Sequence, residues 1–306
     1  MIRSLIVVSL ILPILVEGKT SKNNNPSFVK KNKNFSEKVD SFVTGLDLFL
    51  TGRTEHSLES SRENRTTLIL GNQFFNREGG ETDYVPKFSA ELDFPNLQES
   101  LKLSFSSFDE DQAGANIDAN RVSSDNTEES FGTSVEYNKK LGKLKFIFRP
   151  RLEISPILGL SHLIRLENDI QVGSWVFKPR VSFYAKPDTG TGQYTQLNFE
   201  KKISALKLLS IINEWEYSNF DNSFTVNNGI IFNHIYNSQV NTMTSLVLES
   251  NQRPNYHLEK MTLAYGAFHK IFNRVFHYGA TPFWEFSKER RFKGTAGIRI
   301  DAVFIF

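Results

Sequence analysis

The chain has 306 residues, of which 36 are basic and 34 acidic, for a formal net charge of +2, and it contains no cysteine. That excludes a disulfide scaffold, a thiolate metal site and a cysteine nucleophile, and the mixed, nearly balanced charge carries no nucleic-acid signal. A hydrophobic fraction of 39% with 27 Phe, 9 Tyr and 3 Trp is too low for a bundle of membrane helices but suits strands with one polar face.

At the amino terminus, Arg3 followed by the apolar stretch Leu5 to Leu15 and then Val16-Glu17-Gly18 reads as a signal peptide over residues 1–18, with Lys19 as the mature start. The stretch is too short and too early for a spanning helix, and nowhere else are there eighteen consecutive apolar residues. A mature chain that enters a membrane must then do so as a closed barrel, because only helices and barrels leave no backbone group unpaired in hydrocarbon. Residues 19–38 are rich in Lys, Asn and Ser and read as a disordered basic segment. Lys19, Lys22, Lys30, Lys31 and Lys33 fit either a plain tether or contact with an anionic polymer or lipid. Over 39–52, Val39, Phe42, Val43, Leu46 and Leu50 recur at helical spacing, with Ser36 near the start and Gly52 as a stop. This predicts a short amphipathic helix, with a strand using Leu46, Leu48 and Leu50 as the alternative. Such a helix would sit at the periplasmic mouth or plug the lumen.

From Thr66 the period is two, and residues 64–306 form the expected barrel. Fourteen runs carry an apolar phase, beginning with Leu68 and Leu70, then Phe88, Ala90 and Leu92, then Leu101, Leu103 and Phe105. The series continues through Trp175, Phe177, Val181 and Phe183, and later through Phe276, Tyr278, Ala280 and Trp284. Each run approaches the ten or so residues of a tilted membrane strand; merging two neighbours would give twelve. The longest polar gaps, Asn76 to Pro86 and Asp109 to Ser130, are odd-numbered connections, and the short ones, such as Asn138 to Lys143, are even-numbered. Pro150, Pro179 and Pro282 fall in the apolar phase of their runs, where each removes a ladder hydrogen bond, and bulges or strand ends are expected there. Two of them share a pattern: Phe148-Arg149-Pro150-Arg151-Leu152 and Phe177-Lys178-Pro179-Arg180-Val181 hint at an internal repeat.

The last run, Ile298, Ile300, Ala302, Phe304 and Phe306, alternates with Gly297, Arg299 and Asp301 and ends on an aromatic carboxyl terminus. In this it resembles bacterial outer-membrane β-barrels of Gram-negative type, whose assembly machinery recognises a terminal Phe; here Phe306 and Phe304 would be that signal. Size and layout resemble the small monomeric fourteen-stranded porins, a likeness that spans the barrel and rests on pattern rather than on a site motif. The resemblance implies an all-β, antiparallel up-and-down transmembrane barrel in the outer membrane, surrounded by lipid and lipopolysaccharide, with an odd-side set of longer loops facing outward. It also implies passive diffusion of small hydrophilic solutes, without cofactor or metal.

The phase opposite the apolar one would line the lumen. Lys145, Arg149, Arg151, Arg165, Lys178 and Arg180 project there from three successive strands, Glu214 and Glu216 from the ninth, and Arg299 and Asp301 from the last. A charge facing lipid near the midplane costs roughly 2–4 kcal/mol, so a watered lumen is where such residues belong. A basic stripe opposite an acidic one would set a transverse field, with a preference for anions if the basic stripe dominates. The same charges paired together would instead close a structural barrel, such as an adhesin. Catalytic signals are thin: no HExxH or GxSxG occurs, and Ser161 beside His162 would point to opposite faces of one strand. An outer-membrane hydrolase is therefore the weakest alternative.

Overall fold

The computed structural model describes Ser41 and residues 67–80, 82–93, 101–108, 129–155, 157–187, 190–252, 255–271 and 275–306. The expected leader over 1–18, the basic segment over 19–38 and, apart from a helical Ser41, the helix over 39–52 lie outside the described residues. So does most of the Asp109 to Ser130 connection.

The described chain is strand after strand: β1 Thr67–Arg77, β2 Thr82–Asp93, β3 Leu101–Phe108, β4 Glu129–Leu141, β5 Leu144–Ser155, β6 Ile157–Glu167, β7 Ile170–Val172 and β8 Trp175–Lys186. It continues with β9 Gly190–Ser204, β10 Lys207–Ser218, β11 Ser223–Ile235, β12 Val240–Asn251, β13 His257–Ile271, β14 Phe276–Ser287 and β15 Gly294–Ile305. Sequence neighbours pair antiparallel, β1 pairs with β15, and β6 pairs with β8, so the sheet closes on itself. The three-residue β7 prolongs the line of β6 against β8, giving fourteen staves rather than twelve. An even count brings both ends of the barrel to one rim, where Leu68 N–H donates to Phe306 O at 3.2 Å and Phe306 N–H to Leu68 O at 2.9 Å. That rim is called terminal below, and the other distal. Closure leaves no sheet edge, which is the condition for a sheet in hydrocarbon.

Two-residue alternation places the expected apolar phase outward on every stave. Leu160, Ile164, Phe183, Ile230, Leu263 and Ile300 are exposed large hydrophobics on the outer surface. An apolar belt of this extent would make a soluble protein aggregate, and on a closed barrel it is the lipid contact. Aromatic rings mark both rims. At the terminal rim Phe177 stacks on Phe199 at 4.8 Å and Phe276 meets Phe304 at 4.5 Å, while Lys201 Nζ lies 5.5 Å from the Trp175 ring centroid. Towards the distal rim Phe74 meets Tyr84 at 4.9 Å. Turns at the terminal rim are tight: Gly142 and Gly173 adopt φ of 66° and 60°, which a side chain would resist.

Two expectations are corrected. The polar stretch Asn76 to Pro86 is mostly strand, because β1 runs to Arg77 and β2 starts at Thr82; its polar residues face inward or sit at the distal rim, so polarity there did not mark a long loop. The prolines sit neither at strand ends nor at bulges. Each interrupts the ladder to the preceding stave and keeps register with the following one: Pro150 with His162, Pro179 with Leu197, Pro282 with Ile298. On the other side the paired rows skip from Tyr137↔Phe148 to Ser134↔Arg151, and from Ala264↔Phe283 to Ala267↔Ala280. At Pro179 the same missing N–H separates β6 from β7, with Asn168 N–H donating to Pro179 O at 3.1 Å across the gap. The two matching pentapeptides therefore have matching structural consequences.

Candidate functional site: the inner wall of the barrel

The phase opposite the lipid belt faces inward, and the structure places all ten lumen candidates there. They do not form two opposed stripes. On this closed sheet β10 lies two staves beyond β8, so Glu214 and Glu216 share a wall with the basic residues of β5, β6 and β8. Charges pair locally within that wall. Lys145 Nζ is 2.9 Å from Glu167, whose other oxygen is 3.3 Å from Arg180 Nε. Arg149 Nε donates to Glu136 at 2.8 Å, and Lys178 Nζ is 2.7 Å from Glu200. Arg151 donates to Ser106 Oγ at 2.8 Å and lies 3.7 Å from Glu153; Arg165 donates to Ser182 Oγ at 3.1 Å. On β15, Arg299 donates to Asp301 at 2.9 Å, and Gln73 Nε2 donates to the second oxygen of Asp301 at 2.7 Å. Glu216 accepts from Tyr184 Oη at 2.7 Å.

Two of these pairs, Lys145 with Glu167 and Glu167 with Arg180, begin one oblique row. Because cross-strand partners follow the tilt of the staves, a single line of registered residues climbs from one rim to the other. It starts at the terminal rim with Lys145, Glu167 and Arg180. It passes Gln196, Glu214 and Asn227 at mid-barrel and ends with Glu249 and Lys260 near the distal rim, 3.2 Å apart. The carboxylates Glu136, Glu153, Glu167 and Glu200 were not singled out from the sequence. Their signal was present, since each falls in the inward phase, but which base each meets depends on register between strands.

The inner wall is not uniformly polar, contrary to a simple polar-in pattern. Ile212, Ile231 and Met243 form a buried cluster with Phe268 against it, and Ala264 packs with Phe283. All of these project inward from β10 to β14. Their rings lie on glycine: a Cβ at Gly279 would collide with Phe268, and one at Gly297 would collide with Phe283. The barrel interior thus has an apolar patch over β10 to β14, crossed on β10 to β13 by the charged row, and a charged region over β4 to β10 that also buries Ile147 and Leu163. Against the charged wall lies a small open pocket, lined among others by Arg149, Arg151, Ser182, Tyr184, Lys186 and Glu216. Ser161 faces inward and donates to Glu153 at 2.8 Å, whereas His162 faces outward and stacks on Phe148, so the two do not form a hydrolytic pair.

The closed sheet, the apolar belt between aromatic rims and the charged interior define a transmembrane β-barrel of the bacterial outer-membrane kind. No protein-family model matches the sequence, and no curated protein matches it. Solved structures align with most of the chain. The outer membrane channel DcaP of Acinetobacter baumannii aligns over 80% of this chain and 97% of its own at 8% identity, with a TM-score of 0.50. The outer membrane protein OpdK of Pseudomonas aeruginosa aligns over 80% and 99% at 9% identity, with a TM-score of 0.46. A loop-deleted OmpT, an outer membrane protein of Vibrio cholerae, aligns over 80% and 99% at 10% identity, with a TM-score of 0.47.

Proposed function

We propose that the protein is a narrow outer-membrane channel for passive diffusion of small hydrophilic solutes, with no catalytic step. The observation that carries this reading is the charged inner wall with the pocket that opens on it, a surface that only a watered interior accommodates at low cost. The shared fold with DcaP, itself described as a channel, lends support. Basic residues on this wall are matched by neighbouring carboxylates, so any anion preference is modest. Outer-membrane lipid and lipopolysaccharide would surround the belt, and Phe304 with Phe306 would serve the barrel-assembly machinery.

A second reading, a non-conducting barrel with a structural or adhesive role, is favoured by the near-complete burial of Glu214 at 0%, Arg299 at 1% and Phe283 at 1%. Planar-bilayer recording of the refolded full-length protein separates them. Discrete ohmic steps that persist or grow when residues 19–52 are deleted support the channel. Silence in both forms supports the closed barrel.

A further inference from the structure

Glu214 differs from the other carboxylates of the charged row. Glu167 and Glu249 each have a basic partner, whereas Glu214 has none among the described residues although it is 0% exposed. Its Oε1 accepts from the amides of Gln196 and, at 3.4 Å, Asn198, while its Oε2 meets no donor. Neutral amides orient a carboxylate but do not cancel its charge, and a buried carboxylate without a counter-charge is costly. The surroundings are built rather than incidental. Next to Glu214 the β9–β10 ladder opens, and side chains replace it: Asn213 N–H donates to Asn198 Oδ1 at 3.0 Å, and Asn213 Nδ2 donates to Leu197 O at 3.1 Å. Gln196 and Asn227 flank Glu214 in register, so an amide stands on each side of the carboxylate.

We propose that Glu214, with Gln196, Asn198 and Asn227, forms a station on the inner wall for one small monovalent cation, either an alkali ion or the primary ammonium group of a solute. One carboxylate ringed by amides matches a single positive charge, and carboxylate and amide oxygens are ligands that hard cations take. The route of access in this proposal is the pocket of the charged wall, whose lining stops short of the four station residues. Tyr194 and Glu216 line it, and each lies two residues from the station on the same inward face, Tyr194 from Gln196 and Glu216 from Glu214. Of the three basic groups that share this pocket, Arg149 is held by Glu136, Arg151 lies beside Glu153, and Lys186 Nζ lies 5.7 Å from the Tyr184 ring centroid.

The proposal rests on a watered interior, but its test does not need conduction. Thermal unfolding of the full-length protein in detergent is followed at constant ionic strength while choline chloride is replaced by potassium chloride or by methylammonium chloride. The wild type is expected to show a saturable rise in unfolding temperature with one or both of the small cations, and Glu214→Gln to lose it. A rise with methylammonium alone assigns the station to solute ammonium groups; a rise with potassium assigns it to bulk ions. Glu167→Gln, whose carboxylate is already paired, is expected to keep the wild-type response. If Glu214→Gln does not fold, Glu214→Asp replaces it and is expected to need several-fold more cation for the same rise. Identical curves in choline and the small cations, or a response that either Glu214 variant leaves unchanged, overturn the station. A saturable response in a protein that passes no current would leave the station standing and overturn the channel.

Discussion

The two inner walls of this barrel are built on the same alternation and do opposite things. From β10 to β14 the inward residues Ile212, Ile231, Met243, Ala264 and Phe283 pack into apolar clusters, much as in the core of a soluble domain. From β4 to β10 the inward residues include Glu136, Arg149, Arg151, Arg165 and Glu214, of which Arg149 is held by Glu136, Arg151 and Arg165 by serines and Glu214 by amides, beside an open pocket. Both walls present an apolar outer face to lipid. The comparison teaches that the lipid fixes only one phase of each strand, while the other is free to be either filler or pathway.

The largest effect expected from breaking this division is on the apolar side. Phe283→Ala removes a ring that is 1% exposed and should cost about 3–5 kcal/mol in denaturant unfolding from liposomes, while enlarging any conductance because the vacated space adjoins the lumen. Next comes the charged side. Glu136→Ala leaves Arg149 without the carboxylate that holds it, with a loss of about 3 kcal/mol. The double variant Glu136→Ala with Arg149→Met should recover most of that loss, and a double variant as unstable as the single one would show that the pair does not act as a unit. The smallest effect has the opposite sign. Pro179→Val restores the N–H whose absence separates β6 from β7 and should stabilise the barrel by about 1 kcal/mol, with slower amide exchange around Asn168. An unchanged exchange rate would mean that the gap has another cause.

Much of the fold was legible because lipid imposes a strict requirement. Runs such as Leu160, His162, Ile164, Leu166 and Ile298, Ile300, Ala302, Phe304 could not be apolar in one phase by accident over fourteen staves, and the outward face follows from them directly. The interior was legible only in part. Ile211-Ile212 and Ile230-Ile231 are apolar in both phases, so alternation is silent about what they do inside. That Arg149 meets Glu136, 13 residues away, while Gln73 meets Asp301 across 228 residues, depends on the register and on closure between the first and last staves. A single sequence does not carry that information in any local pattern. The same limit explains why an opposed acidic stripe was expected: the order of staves places β10 beside β9 and close to β8, and charges that looked like two stripes share one wall.

The division between the walls can be measured directly because the chain contains no cysteine, so one introduced thiol is the sole reactive site. Lys186→Cys, on the pocket of the charged wall, and Phe283→Cys, in the apolar packing, are placed separately in planar bilayers and exposed to a small charged methanethiosulfonate reagent. The account predicts that the first reacts rapidly and that its conductance changes in discrete steps, while the second is protected. Equal reactivity at both positions, or no reaction and no current at either, would contradict a charged pathway running beside a packed wall.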